Sequence, residues 1–480
     1  MMIRTEQFTR LAAAEIEKAK ARPFLKMVPE FLYRKRTAGM TTLPDPAAAQ
    51  AGSAAVRREV VRRLPDLLET FERNATANGA KVVWARDAQE ANAFIVDLAK
   101  SRGVRTAIKG KSMITEELGL NEALEAAGIQ PWETDLGEFI IQLLKRPPFH
   151  IIAPAMNIPV EEVRDLFLEK AGLTKSTVDP VELGYAARLF LRDKFASAEL
   201  GITGVNMAVA ETGTIINLEN EGNIRFSKSA PRIQVSVMSL EKVVPTLADA
   251  VHVIRMLARN CTGQRISAYV SMDSGPRRPD ELDGPEELYI VILDNGRSQI
   301  YQDLEAREVL QCVRCAACLN ICPVYRQIGG YAYGGAYSGP MGQVLMPLLF
   351  GLDRTQDLYR ACTLCGACAS VCPAGIDHPK LFLNYRAKDV AGDPQFRSRP
   401  RPLAERLAFR MWSLGAGHPG VWRLGARMVR PLFNRKAHDG VVSAVAAPLE
   451  GWLRSRDLPA LADPPFHARK ERAAGAGRND

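Results

Sequence analysis

The sequence lacks the marks of several large protein classes. No stretch approaches the 18 or so consecutive apolar residues of a membrane span, so an integral membrane protein is not expected. The opening MMIRTEQFTRLAAAEIEKAKARPFLK has charges spaced through it and no continuous apolar core, so no secretory signal is read there. Nine cysteines in 480 residues are few for a disulfide scaffold. In a chain expected to stay in the cytoplasm, clustered thiols point to metal. The six histidines, His150, His252, His378, His418, His438 and His467, form no H-E-x-x-H and no close pair. That disfavours hydrolytic zinc chemistry and leaves them as surface or packing residues. No G-x-G-x-x-G opens a helix after a strand, so a nicotinamide or flavin in a Rossmann cradle is unsupported. Excess charge is also missing from most of the chain: residues 1–380 sum to zero, and the formal +9 belongs to the last hundred. A nucleic-acid partner is therefore not expected, because such binders spread basic charge over a folded face.

With 47% hydrophobic and 24% charged residues the chain should fold, into two or three compact units at this length. Apolar runs at 81–85 (KVVWA), 105–108 (RTAI) and 149–153 (FHIIA) read as strands. The stretches 87–102, 115–127 and 160–171 read as helices between and after them. Strands separated by helices of this length imply parallel pairing and an α/β layer structure. A helix is expected over 182–200. Beyond it, 206–218 and 233–238 are β-prone, with a tight turn at Glu211-Thr212-Gly213. A helix at 247–259, a Pro- and charge-rich surface loop at 273–287 and a strand at 288–293 closed by Asp294-Asn295-Gly296 complete the unit. The expected division is an N-terminal helical segment (1–54), an α/β domain (55–300), a cysteine-rich domain (301–385) and a basic helical C-terminal segment (386–480).

Eight of the nine cysteines crowd into residues 312–372. They form one repeat: Cys312-Val-Arg-Cys315-Ala-Ala-Cys318-Leu-Asn-Ile-Cys322-Pro323, then Cys362-Thr-Leu-Cys365-Gly-Ala-Cys368-Ala-Ser-Val-Cys372-Pro373. Both copies are C-x2-C-x2-C-x3-C-P, the bacterial spacing for a 4Fe-4S cluster. Three cysteines at three-residue intervals let one tight turn present three thiolates to three corners of a cube, while the fourth points away. In two-cluster proteins that fourth ligand serves the other cluster. The expected sets are therefore Cys312, Cys315, Cys318 and Cys372 for one cluster, and Cys362, Cys365, Cys368 and Cys322 for the other. Zinc sites close with four ligands in two pairs and give no reason for a doubled three-plus-one pattern. The 39-residue spacer between Cys322 and Cys362, with apolar helical stretches at 341–350 and 358–364, suggests a mostly helical dicluster ferredoxin. Its expected use is to pass single electrons.

Further motifs precede this repeat: Lys109-Gly-Lys111-Ser112-Met-Ile-Thr115-Glu116-Glu117, then Glu133-Thr-Asp135-Leu-Gly-Glu138, then Gly201-Ile-Thr203-Gly204 leading into Ala210-Glu211-Thr212-Gly213-Thr214. They resemble the LUD domain. The full order of LUD motifs, two cysteine repeats and a basic segment with Trp412, Trp422 and Trp452 resembles the lactate-utilisation iron-sulfur protein B family over nearly the whole chain. The resemblance implies an α/β core of the ribose-phosphate isomerase and CoA-transferase type. It also implies a part in oxidising L-lactate to pyruvate with partner proteins A and C, in a non-NAD dehydrogenase complex that passes electrons to a quinone or another membrane carrier. Another 2-hydroxy acid such as glycolate fits the same sequence, as does a ligand-binding or acyl-transfer enzyme with redox-sensing clusters.

Two readings stay open at each LUD motif. Lys109, Lys111 and Ser112 stand at a strand-to-helix turn where amides and ammonium groups meet an anion. Ordinary helix-start chemistry by Ser112 or Thr115, with Glu116 and Glu117 on the dipole, accounts for the same letters. Glu133, Asp135 and Glu138 serve either catalysis or an ion-pair network with those lysines. Thr203, Asn206, Glu211 and Thr212 line a ligand, or they belong to a hairpin that needs Gly213. Cys261 stands alone and is expected to be a small buried residue. The C-terminal Arg406, Arg410, Arg423, Arg427 and Arg430, with Trp412, Trp422 and Phe433, suit a docking face for a partner subunit, peripheral contact with an anionic membrane, or a solvated helix surface.

Overall fold

The computed structural model describes residues 4–18, 22–443, 453, 456–466 and 468–470. Ten strands lie between residues 81 and 293: β1 (Lys81–Ala85), β2 (Thr106–Lys109), β3 (Gln130–Glu133), β4 (Leu200–Gly204), β5 (Met207–Val209), β6 (Thr214–Glu219), β7 (Ile233–Ser239), β8 (Val243–Val244), β9 (Tyr269–Asp273) and β10 (Glu287–Leu293). Six of them form one sheet in the order β1-β10-β7-β4-β2-β3, with every neighbouring pair parallel. A parallel sheet is covered on both faces, which is why β10 reads as an unbroken apolar run. Leu288, Ile290 and Ile292 enter one core cluster, and the alternate Tyr289, Val291 and Leu293 enter another. The hairpin β5–β6 is antiparallel, pairing Val209 with Thr214, and belongs to a second sheet ordered β8-β5-β6-β9.

Helix starts follow the expected chemistry. The Asp87 carboxylate accepts from the Glu90 amide at 2.9 Å, and that of Asp135 from the Glu138 amide at 3.1 Å. Two local expectations are corrected. The single helix over 115–127 is two, Met113–Leu118 and Leu120–Ala126, because Gly119 turns left-handed at φ 66° between them. The strand at 149–153 does not form. Instead the Nδ1 of His150 accepts from the Ile152 and Ala153 amides, while its Nε2 lies 3.1 Å from Asn320 Oδ1. The segment is thereby clamped against the first cysteine motif. The strand that completes the sheet is β3, an edge position that tolerates Pro131.

Residues 5–62 carry the helices Phe8–Glu17, Arg22–Met40 and Pro46–Arg62, which pack on both the sheet side and the cysteine side. Arg57 joins the two: fully buried, it donates to the carbonyls of Glu241, Val243, Leu310 and Gln311. A single core runs from Phe71, Ile215 and Ile290 to Tyr325, Tyr333 and Leu345. The same core spans both sides of residue 300, and by compactness the chain separates into residues 1–400 and 401–480. In the second unit the helices Leu403–Gly417 and Pro419–Asn434 bury none of their residues. Val441–Val442 pairs antiparallel with Leu458–Pro459. Trp452 and His467 lie outside the described residues. Among those described, no helix is long and apolar enough to cross a membrane.

Candidate functional site

The two cysteine motifs have the same backbone. In each, the residue before the second cysteine and the one after it are left-handed: Arg314 (φ 61°) and Ala316 (φ 60°), then Leu364 (φ 57°) and Gly366 (φ 77°). These paired turns aim amides at sulfur, with Arg314 N–H donating to Cys312 Sγ at 3.4 Å and Leu364 N–H to Cys362 Sγ at 3.3 Å. All nine cysteines are free thiols. Two recesses separate the eight clustered sulfurs. One is lined by Cys312, Cys315, Cys318 and Cys372, the other by Cys362, Cys365, Cys368 and Cys322. Each recess thus takes three cysteines from one motif and the last cysteine of the other.

Burial pushes the Cys322 and Cys372 thiols up to about 11 and that of Cys368 to about 12. Eight mutually close thiolates are stable only beside compensating positive charge, which iron supplies. Among the described residues no three His, Cys, Asp or Glu side chains close on a single point as they do around one ion. A cubane instead holds its thiolates at its outer corners, with a recess between them. The donor type, the amide-to-sulfur bonds and the recesses all fit 4Fe-4S chemistry.

A cleft of about 290 Å³ adjoins the first recess. It sits at the carboxyl ends of the parallel strands, where succession reverses: β2 to β3 runs one way across the sheet, and β4 to β7 to β10 the other. That switch point is where open α/β sheets bind ligands. Lys111 and Ser112 after β2, Asn206 after β4, Ser239 at the end of β7 and Lys242 beyond it line the cleft. The motif glycines permit this close fit: a Cβ on Gly204 would stand 2.5 Å from Ser112 Oγ, and one on Gly201 1.9 Å from the Ser227 carbonyl oxygen. Arg314 and Val313, between the first two cysteines, line both the cleft and the first recess.

Of the six candidate ligand-binding residues of the LUD motifs, Lys111 and Ser112 face the cleft and four do not. Lys109 is enclosed, with its amine 2.7 Å from Glu133 and 3.2 Å from Glu116. Thr203 is buried and accepts from the Gln234 amide nitrogen. The Glu211 carboxylate accepts from the Leu247 amide at the next helix start, and Thr212 occupies the exposed turn beside it. The lysine and acidic motif is thus largely an internal network. Burial raises Glu133, and raises Glu138 well above its ordinary range. The lone Cys261 is half-buried rather than buried and lines the cleft.

Sequence reasoning missed Ser239, Lys242, Arg314, Tyr337 and Glu221, all on the cleft. The signal for Ser239 and Lys242 was their place at the carboxyl end of β7. Glu221 is pushed up to about 7 by burial and by Asp135, while the Leu136 amide opposes the shift. Lys242 is held down to about 8 by burial and by the Arg314 guanidinium, against the pull of Glu241. Beneath them runs a buried chain of charges. Glu117 takes two hydrogen bonds from Arg297, at 2.8 and 2.7 Å, and one from the Tyr337 hydroxyl at 2.7 Å. Glu241 lies 3.1 Å from Arg297 and 2.9 Å from Arg314. Burial opposes ionisation of Glu241, but the two guanidiniums outweigh it and hold the carboxyl at about 2. Cleft, ion chain and first cysteine motif form one continuous structure.

Comparison with known proteins places three family models along the chain: a LUD domain over residues 68–293, a 4Fe-4S dicluster domain over 308–376 and the C-terminal region of lactate utilisation protein B over 385–474. Lactate utilization protein B of Bacillus licheniformis is 38% identical over 461 residues, covering 96% of this chain and 95% of the relative. The protein of the same name from Geobacillus kaustophilus is 42% identical over 406 residues, 84% of either chain. A crystal structure of a DUF162-family protein from Deinococcus radiodurans matches 48% of this chain and 98% of its own at 15% identity. Its TM-score of 0.28 carries no argument.

Proposed function

Since the chain belongs to the lactate utilisation protein B family and is a lactate-utilisation iron-sulfur protein, we propose that it is the electron-transfer component of a complex that oxidises L-lactate to pyruvate. It carries two 4Fe-4S clusters in this role. Cys312, Cys315, Cys318 and Cys372 hold the first; Cys362, Cys365, Cys368 and Cys322 hold the second. The clusters supply one-electron carriers. The polypeptide supplies thiolates, amides donated to sulfur and a buried cation, Arg314, at the first set.

The observation that carries this reading is that one cysteine set shares Val313 and Arg314 with the cleft, whereas the other includes the exposed Cys365. Electrons enter at the cleft-side set and leave from the exposed one. The partners are the A and C proteins of lactate utilisation, with a quinone or another membrane carrier as the final acceptor. The basic helices Leu403–Gly417 and Pro419–Asn434, whose apolar residues and arginines are exposed apart from the half-buried Arg430 and Phe433, dock an acidic surface of a partner subunit. The test is anaerobic assembly with proteins A and C followed by lactate. The clusters of this chain should be reduced by L-lactate and not by the assembly in which Cys315 and Cys365 are serine. Lactate-dependent electron flow that survives both substitutions overturns the reading. A substrate panel separates L-lactate from glycolate.

A further inference from the structure

Lys242 is the one lysine or arginine of the cleft lining for which no described residue provides a hydrogen bond or ion pair. Lys111 donates to the Ile152 carbonyl at 2.7 Å, and Arg314 is paired with Glu241. Lys242 is half-buried and follows directly on the Glu241 that binds Arg314. Two hydroxyls of the same lining also lack partners among the described residues: Ser112, 7% exposed, and Ser239, 1% exposed. None of the three groups is both sealed from solvent and without a partner, so each stays open to a ligand entering the cleft. A free ammonium and two free hydroxyls lining one cleft are a donor set for a carboxylate.

Charge narrows the ligand further. The acidic lining residues Asp135, Glu219 and Glu221 gather around Lys111 and the end of β6, and a second carboxylate would be repelled there. A monocarboxylate bearing a neutral hydroxyl or carbonyl oxygen suits the Asn206 side-chain nitrogen, whose amide oxygen already accepts from the Leu218 N–H. The wall that carries Lys242 also carries Val313 and Arg314 of the first cysteine motif.

We infer that this cleft is the binding site for a small 2-hydroxy or 2-oxo monocarboxylate, with Lys242 anchoring its carboxylate and Ser239 donating to it beside the first cysteine set. This rests on the electron-transfer reading for its biological sense, but it assigns the acid-binding site to this chain rather than to a partner.

The test is calorimetric titration of the full-length, anaerobically prepared protein with pyruvate and with L-lactate, and iron and sulfide are counted on the same samples. Wild type should bind both acids saturably. Lys242→Met should weaken binding at least about tenfold, the loss of one charge-assisted contact. Lys242→Arg should keep it within a few-fold, and Glu211→Gln, outside the cleft, should leave it unchanged. Circular dichroism identifies any variant that fails to fold, and the arginine variant then carries the comparison. Unaltered affinity in a folded Lys242→Met, or no saturable binding of either acid by wild type, overturns the inference. Iron-loaded protein that ignores both acids removes the acid site and leaves the relay standing. Iron-free protein that still binds them removes the relay and leaves the site.

Discussion

The two cysteine motifs have the same spacing and the same left-handed turns, yet they occupy opposite environments. Around the first, Cys315 and Cys318 are buried, Arg314 is tied to Glu241, and Asn320 meets the buried His150. Around the second, Cys365 is exposed, Leu364 replaces the arginine and the exposed Ser370 stands where Asn320 stood. Short-range spacing thus dictates the ligand turn. Tertiary packing decides which turn adjoins the cleft and which carries an exposed cysteine. Each motif has a guanidinium nearby, Arg314 within the first and Arg386 on the Cys362 carbonyl of the second at 2.8 Å, so the pairing of Arg314 with Glu241 and the exposure of Cys365 are what distinguish the two.

Exchanging ligands gives the largest expected effect. Cys315→Ser and Cys365→Ser should each lower bound iron by about half, as a cluster cannot persist on three thiolates without rearrangement. Only the first, buried in the shared core, should also cost stability measurable by denaturant titration. Equal destabilisation by the two would erase the contrast between the motifs.

Exchanging the distinguishing residue comes next. Arg314→Leu leaves Glu241 buried with one guanidinium fewer and should cost about 3–5 kcal/mol. It should also lower the potential of the first cluster, because a nearby cation favours the reduced form. The reciprocal Leu364→Arg, at a half-buried site, should change stability by about 0.5 kcal/mol. Potentiometric titration followed by EPR reads the first effect, and chemical denaturation reads the second.

Acid should act through two buried histidines, His150 beside the first motif and His378 after the second. Burial holds both at about 4 against an ordinary 6.5. The neutral rings are therefore favoured in the fold, and their contribution is complete above pH 6.5 and lost as pH falls through 4. The loss should be roughly 3 kcal/mol for each ring, about halved in His150→Gln, and visible as a pH-dependent shift of the unfolding midpoint.

The smallest effect belongs to the second unit. Arg406→Glu with Arg410→Glu and Arg427→Glu should weaken partner association about tenfold at low salt, less at high salt, and leave stability within about 0.5 kcal/mol. Pull-down across a salt series measures it.

What the sequence made legible follows the range of the interactions. The cysteine turns, β1, β10 and the β5–β6 hairpin depend on neighbours within a few residues, and they were readable. The segment at 149–153 was not, because its His150 ring and Phe149 carbonyl are held by Asn320 and Tyr325, some 170 residues away. Lys109 and Lys111 are two residues apart and looked equivalent. Lys109 ends a strand and is sealed by Glu133, while Lys111 clears the sheet edge and faces the cleft. Lys242 and Arg314 belong to different motifs and meet only when the sheet and the cysteine turns pack on one core, so no local pattern announced their shared cavity.

The crossed ligand sets are tested most directly by iron content in a chain whose second motif is disabled by Cys362→Ser, Cys365→Ser and Cys368→Ser together. About four iron atoms per chain should remain. Adding Cys372→Ser should then remove them, whereas adding Cys322→Ser should not. The opposite pattern, iron lost with Cys322 and kept without Cys372, would show that each motif closes on itself and contradict the crossed arrangement.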